Sequence, residues 1–432
     1  MKQATLSCFV NIFISGYFFV VSPLSLPQAQ KQMLIKNLDI VIANQDYCKK
    51  DYELTEAKSV WYPSFDASGS LSYQNKKSTI TLPIYNSMEI GTNDRSDLGL
   101  EVSYPLTAAF VNTFNVKYRT MDLQIKSMQN SALKNQLSYK LAALYFSWDF
   151  SFCQTVVQQT LVSQLEAAVA RIKELQAGGI ASSAKVLEAQ AKLENAKVAL
   201  CTNENTTDSL KQELADFIQY GDSAITPENY DFKIDSLYIS SINTISLDVF
   251  RPELSALDLS AEQLSVYMDI LSGQKYPNLV LSAGYHYGRP ELNMGKDPDY
   301  MGYAIAALKF NFNIFDGYKI SSRQSQTQQQ IEMVKSRKKQ LTNSFVISIK
   351  SAKQDFLRAQ RQKNAARISL EASHALVEDV KNSLNSGVST TLDYLNALSS
   401  EAVAECGVKQ AQFMEKMALL KIYYASGKEL KY

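Results

Sequence analysis

The feature that most constrains this chain is a run of about 70 residues in which nothing breaks a helix. From about Thr107 to Ala177 the sequence holds neither proline nor glycine. At 1.5 Å of rise per residue, a helix of this length is on the order of 100 Å long. A rod of that length cannot fold back into a compact domain, so it has to pack sideways against other helices.

The end of this segment and the segment that follows carry a coiled-coil pattern. Apolar residues recur at alternating spacings of four and three, with alanine at many positions, which lets helices approach closely. These residues are Leu161, Leu165, Ala168, Ile172 and Leu175, then Val186, Ala189, Leu193, Ala196 and Leu200. Gly178 and Gly179 lie between the two sets, where a left-handed helix cap needs no side chain. The pattern predicts a helical hairpin.

The second half of the chain repeats the first at an offset of 208 residues, from Gly179 to Gly387. At this offset Leu100–Leu106 also matches Leu308–Ile314. A second long helix is therefore predicted from about Tyr318 to Ser386. Its return begins at Thr390, and the hydroxyl of Thr390 or Thr391 can cap the next helix. The chain is a tandem duplication.

This organisation divides the chain into four parts. Residues 1–25 are predicted to be a signal peptide, because Met1-Lys2 precedes an apolar run that ends at Val21. Residues 26–220 form the first repeat, 221–250 an equatorial linker and 251–432 the second repeat. Each repeat is predicted to hold a helix, two β-strands and a long helical hairpin.

The four predicted strands alternate between apolar and polar residues. They are Ser64–Gln74, Asp97–Tyr104, Leu279–Tyr287 and Ala304–Phe312. Alternation over about 10 residues is typical of a membrane-spanning strand, and equally of a soluble half-buried hairpin. The long helices favour the membrane interpretation. Aromatic residues that we assign to membrane strands are Tyr73, Tyr104, Tyr285, Phe310 and Phe312.

Four strands cannot close a membrane barrel alone, since the smallest bacterial outer-membrane barrels have about 8. An open sheet in lipid leaves unpaired backbone groups that cost several kcal/mol each. The chain must therefore share its barrel with copies of itself. Two copies give about 8 strands and a filled lumen, and three give about 12 and a water-filled pore. The predicted fold is mainly α, with antiparallel helices forming a tunnel and four strands contributing to a shared barrel.

Composition excludes several classes of function. Lys+Arg 44 against Asp+Glu 43 gives a net charge of +1, far from the basic excess that neutralises nucleic-acid phosphates. With 2 His, no C-x-x-C spacing and no catalytic motif, we expect no metal site, no cofactor and no enzymatic activity. His286 is predicted to lie in a lumen or an interface, and His374 shows no pattern of partners. Cys153 and Cys201 flank the glycine turn at similar distances and could face each other in a hairpin. They could form a disulfide or remain two free thiols.

Several motifs together carry a resemblance to a known family. They are Leu24-Ser25-Leu26 leading to Asn37, Arg251-Pro252-Glu253-Leu254, the Tyr-Pro pairs at Tyr62 and Tyr276, and Gly179 and Gly387 with the following Leu-x-Ala. In this order the chain resembles the TolC family of outer-membrane efflux proteins over residues 24–430. The resemblance implies a homotrimer with a 12-stranded barrel in outer-membrane lipid and a 12-helix periplasmic tunnel. It also implies coupling to a periplasmic adaptor (membrane fusion) protein and to an inner-membrane transporter of the RND, ABC or MFS type.

The same resemblance implies where the tunnel narrows. In the family, the tip is narrowed by acidic residues spaced three apart on the helix after the second turn. The matching positions here hold Asp393 and the neutral Asn396, which are the predicted aperture residues. A solvated aspartate at the start of a helix is the alternative for Asp393. The family's hydrogen-bonded latch of a tyrosine and an arginine is absent, because Leu384 and Ser389 occupy those places, and Lys185 stands where the first repeat could have carried an acid.

The two turns are predicted to contact the adaptor through Gly178, Gly179, Ser182, Gly387 and Thr390. The rival interpretation of the whole chain is a soluble periplasmic coiled-coil rod with a structural or adaptor role. Both interpretations share the long helices, so the strands decide between them.

Overall fold

A computed structural model of the chain describes residues 22–82, 85–90, 93–220, 225–228, 230, 251–289, 299–428, 430 and 432. Most of the predicted signal peptide and of the predicted linker lies outside these residues. The chain divides into two compact units. We call the first the helical unit; it holds the described residues within 1–41, 133–250 and 344–432. The second, the sheet unit, holds those within 42–132 and 251–343.

The order of elements in the two repeats follows the predicted plan. The first repeat holds β1 (Ser22–Leu24), α1 (Leu26–Lys36), α2 (Leu38–Ser59), β2 (Ser64–Tyr73), β3 (Ser78–Leu82), β4 (Tyr85–Ile90), β5 (Asp94–Pro105), α3 (Leu106–Ala177) and α4 (Ser183–Phe217). After β6 (Ile225–Pro227), the second holds α5 (Pro252–Gly273), β7 (Asn278–Gly288), β8 (Met301–Asn311), α6 (Lys319–Asn385) and α7 (Thr391–Ser426). Strands β1, β3, β4 and β6 were not predicted. The four predicted strands and both long hairpins are confirmed.

The sheet unit is built around one antiparallel four-stranded sheet in the order β2-β5-β7-β8. Its register places Ala67 opposite Leu100, Leu100 opposite Tyr285, and Tyr285 opposite Ala304. Because side chains alternate along a strand, one face gathers most of the large apolar residues of the four strands and the other most of the polar ones. β2 and β8 are the edges of this sheet.

The helices of the sheet unit bury apolar side chains of their own. These include Leu54, Met121, Ile125, Leu254, Leu271 and Ile331. Asn112 donates from its side chain to the carbonyl of Ala57 at 2.6 Å, which ties α3 to α2. A surface ion pair between Arg119 and Glu53 at 2.9 Å joins the same two helices. Such exposed pairs contribute little, so the apolar contacts carry most of the stability.

In the helical unit, the start of the described chain is part of a buried core. β1 pairs with β6 in parallel, and Leu24 and Leu26 are buried in an apolar cluster with Trp148. The hydroxyl of Tyr145 lies 2.7 Å from the carbonyl oxygens of both Leu24 and Glu228. Burial raises the pKa of this tyrosine well above its ordinary value, so it stays neutral. β1 is therefore held by backbone pairing, apolar contacts and a buried hydroxyl.

Among the described residues, no helix has an 18-residue stretch apolar enough to cross a lipid bilayer. The four described cysteines are free thiols: Cys48, Cys153, Cys201 and Cys406. The disulfide alternative for Cys153 and Cys201 is therefore not formed. Cys153 is half-buried and Cys201 is exposed, and the Cys201 sulfur accepts a hydrogen bond from the Asn205 amide at 3.7 Å.

Candidate functional site: the two hairpin turns and the two-faced sheet

The two long hairpins end in turns of the same construction. Gly179 has φ +76° and Gly387 has φ +81°, the left-handed conformation that costs a residue with a β-carbon about 1–2 kcal/mol. In each turn the next amide reaches back five residues: Ile180 donates to the Leu175 carbonyl, and Val388 to the Ser383 carbonyl, both at 2.9 Å. This is the Schellman cap that the glycines predicted.

Each turn also presents an apolar side chain to solvent. Ile180 is 77% exposed and Val388 is 82% exposed, at equivalent positions of the two repeats. The predicted contact residues Gly178, Ser182 and Thr390 are exposed as well. The turns therefore offer two apolar points on an accessible surface, although the glycines alone could not have predicted how exposed these neighbours are.

The helix that follows the second turn begins with a complete capping box. The Thr390 hydroxyl accepts from the Asp393 amide at 3.2 Å and donates to the Asp393 carboxylate at 2.6 Å. The Thr390 amide donates to the same carboxylate at 2.9 Å. These bonds from Thr390 lower the pKa of the Asp393 carboxyl below its usual range. Asp393 is thus an exposed, ionised carboxylate that completes the capping box at the start of α7.

The first hairpin starts its returning helix differently. Ser182 is the N-cap of α4, but its side chain makes no capping hydrogen bond. Lys185 stands at the position equivalent to Asp393 and cannot close a capping box. Instead, Gln176 at the end of α3 donates from its side chain to the Ser183 hydroxyl at 3.1 Å.

Near the turns the two hairpins share one apolar cluster. It joins residues of α3, α4, α6 and α7, and confirms the predicted seam spacing at most positions. The buried members are Leu161, Val162, Leu165, Ala168, Val169, Ile172, Val186, Ala189, Leu193, Ala196, Val377, Leu395, Ala397 and Leu398. Leu175 and Leu200, at the ends of the predicted seam, are half-buried.

Near the turns, polar contacts of Lys192 and Arg171 cross between the hairpins, and sequence reasoning missed both. The Lys192 ammonium on α4 donates to the side-chain oxygen of Asn396 on α7. The Arg171 guanidinium on α3 donates to the side-chain oxygen of Asn385 on α6 at 3.4 Å. Each contact joins residues more than 200 positions apart, so no local sequence pattern predicts it. In both, the first hairpin supplies the cation and the second supplies a neutral amide.

A third polar contact lies within the second hairpin. The His374 Nδ1 atom on α6 lies 2.6 Å from the Glu401 carboxylate on α7. This hydrogen bond raises the pKa of His374. The sequence showed no pattern of partners for His374, because its partner lies 27 residues away on the returning helix. Glu401 stands at the position equivalent to Leu193 of the first repeat.

The two faces of the four-stranded sheet differ sharply. On the apolar face, Leu71 is 88% exposed, Leu100 68% and Phe310 65%. Tyr73 and Tyr285 also lie exposed on this face and Tyr104 half-buried, while Phe312 follows the end of β8. A monomer in water would leave this large apolar surface uncovered.

The polar face carries a hydrogen-bonded group around His286. The His286 Nδ1 atom lies 2.8 Å from one Asp97 carboxylate oxygen, and the Tyr303 hydroxyl donates to the other at 3.1 Å. The His286 and Tyr303 rings stack with centroids 5.3 Å apart. A β-carbon on Gly99 would lie 2.5 Å from His286 Nδ1, so glycine is needed beneath the imidazole. Among the described residues, no group of three or more His, Cys, Asp and Glu is arranged to hold a metal ion.

An exposed apolar sheet face joined to long helical hairpins defines a class of protein: outer-membrane channels with a helical tunnel. The model of the outer membrane efflux protein family matches residues 29–218 and 249–426. The chain therefore belongs to the outer membrane efflux protein family, and its location is the outer membrane. A comparison with curated proteins finds no match.

Solved structures show the same fold. A membrane protein from Pseudomonas aeruginosa superposes with a TM-score of 0.77 at 16% identity, covering 96% of this chain and 92% of its own. The outer membrane protein VceC from Vibrio cholerae superposes with a TM-score of 0.75 at 16% identity, covering 93% of this chain and 96% of its own. The CmeC outer membrane channel of Campylobacter jejuni superposes with a TM-score of 0.75 at 15% identity, covering 93% of this chain and 85% of its own. At these identities the likeness is one of fold.

Proposed function

We propose that three copies of this chain form a passive exit duct in the outer membrane. The observation that carries this is the sheet: four strands with two open edges, and one face of exposed apolar side chains. In lipid, the unpaired backbone groups of the edges β2 and β8 must find partners, and further copies of the same chain supply them. Three copies give about 12 strands and room for a water-filled pore.

The polar sheet face then lines the pore and the apolar face meets lipid. His286, Asp97 and Tyr303 accordingly face the lumen, and Tyr73, Tyr285 and Phe310 face the membrane. In a soluble rod, the side chains of Leu71, Leu100 and Phe310 would remain exposed to water, which is unfavourable. The burial of Leu24 and the pairing of β1 with β6 support a mature chain that retains β1, with a signal peptide that ends before Ser22.

The duct works with two partners. The exposed Ile180 and Val388, together with the turns at Gly179 and Gly387, form the contact with a periplasmic adaptor protein. An inner-membrane transporter of the RND, ABC or MFS type supplies the cargo. The periplasmic tip of the tunnel is gated, with Asp393 and Asn396 at the aperture. The contacts of Lys192 with Asn396 and of Arg171 with Asn385 hold the second hairpin against the first.

The test compares two neighbouring residues on opposite faces of one strand. Leu100→Lys places a charge on the lipid face of β5, which costs about 2–4 kcal/mol near the middle of a bilayer. Glu101→Lys makes the same new side chain on the pore face. We expect wild type and Glu101→Lys to reach the outer membrane and conduct ions in planar bilayers, and Leu100→Lys to fail to insert.

The opposite results contradict the proposal. Equal insertion of both variants would mean that the apolar face does not meet lipid. Wild-type protein that stays soluble and monomeric without detergent would reject the duct altogether.

A further inference from the structure

Lys192 is a cation in contact with a predicted aperture residue. It is half-buried on α4, and its ammonium donates to the side-chain oxygen of Asn396 on α7. Among the described residues, the ion pairs of this part of α4 are made by Lys197, with Glu166 at 3.2 Å and Glu194 at 3.6 Å. Within the part of the chain that the structure describes, Lys192 instead contacts a neutral amide.

An amide partner has a different effect from a carboxylate. The oxygen of Asn396 accepts a hydrogen bond but carries no charge, so it positions the ammonium without neutralising it. In the first repeat the equivalent position holds Glu188, a residue that would have cancelled such a charge. At this contact a lysine of the first repeat therefore meets an uncharged acceptor of the second repeat.

Asp393 lies three residues before Asn396, on the same helix. Three residues of α-helix rise about 4.5 Å. Thr390 holds the Asp393 carboxylate by two hydrogen bonds, at 2.6 Å and 2.9 Å. One turn of α7 thus carries an exposed anion, and the next turn lies against a cation supplied by α4.

We propose that Lys192 is a specificity-determining residue of the aperture, forming a ring of three positive charges beside the ring of Asp393. This rests on the proposed function, in which Asn396 faces the passage. Rings of lysine favour anions, as rings of aspartate favour cations. The aperture therefore accepts cargo that carries carboxylate, phosphate or sulfate groups, which an aspartate ring alone would repel.

The experiment measures the reversal potential of single channels in a potassium chloride gradient. Lys192→Gln keeps a hydrogen-bond donor for Asn396 and removes the charge, so it should raise the ratio of potassium to chloride permeability severalfold. Asp393→Asn should lower the same ratio. Lys192→Arg should behave as wild type. Lys197→Gln is the matched control, the same substitution five residues along α4, and should leave the ratio unchanged.

The outcomes separate two failures. If Asp393→Asn changes the ratio and Lys192→Gln does not, the assignment of Lys192 is wrong and the aperture stands. A change of equal size in Lys197→Gln would also overturn it, because the effect would then be one of general surface charge. If no preparation conducts, the proposed function fails and the assignment fails with it.

Discussion

The two long hairpins have the same turn and similar lengths, yet some of their contacts near the turns differ. The first hairpin, α3 with α4, closes on an apolar seam in which Leu165, Ala189 and Leu193 are buried. The second, α6 with α7, replaces Leu193 by Glu401, paired with His374, and adds the capping box of Thr390 and Asp393. Duplication preserved the backbone of the hairpin, whereas its interactions diverged.

This difference teaches where each hairpin resists opening. Buried apolar side chains are costly to separate, and their removal leaves a cavity. Exposed ion pairs and helix caps are exchanged for water at small cost. Near its turn, where Glu401 replaces a buried leucine, the second hairpin is therefore the easier of the two to loosen, and this end carries both predicted aperture residues.

The largest expected effect is at the seam position that differs between the repeats. Leu193→Ala removes a buried side chain and should lower the free energy of local opening by about 2–5 kcal/mol. Glu401→Ala removes only a contact with the exposed His374 and should change it little. Hydrogen exchange of the amides around each site measures both. Equal losses at the two sites would mean that the hairpins are held alike.

A smaller effect is expected at the two helix starts. Thr390→Ala removes the hydroxyl that caps α7, and should cost about 1 kcal/mol in local opening of its first turn. Ser182→Ala at the equivalent place should cost clearly less, because Ser182 makes no capping bond. The same exchange experiment reads both first turns. A larger loss for Ser182→Ala would show that the first hairpin is also capped.

The sequence predicted those features that depend on neighbours along the chain. Leu165 and Ala189 follow a helical period, Gly179 and Gly387 stop helices, and Ser64–Gln74 alternates as a strand does. The aperture residues Asp393 and Asn396 were predicted from resemblance, and the structure adds that Asp393 bonds to the N-cap residue Thr390. The capping box itself was readable from Thr390 and Asp393, three residues apart.

What could not be predicted depends on distant parts of the chain meeting. Lys192 and Asn396 are 204 residues apart, and only the packing of α4 against α7 brings them together. β1 and β6 have three residues each, too few for any period to show. The pair of His374 and Glu401 had a usable signal: Glu401 interrupts a seam that has leucine in the first repeat.

The measurement that tests the central claim most directly is crosslinking between the two edges of the sheet. With the native cysteines replaced by alanine, Ser68→Cys on β2 and Ile305→Cys on β8 place one thiol on each edge, both on the polar face. Within one chain, β5 and β7 separate these edges by about 14 Å, so a shorter bis-maleimide cannot join them.

A shared barrel predicts covalent dimers and trimers in the membrane and nothing larger, with no product from either single-cysteine variant. The absence of crosslinked copies, or a ladder that continues beyond three, would contradict the closure of this sheet by two further chains.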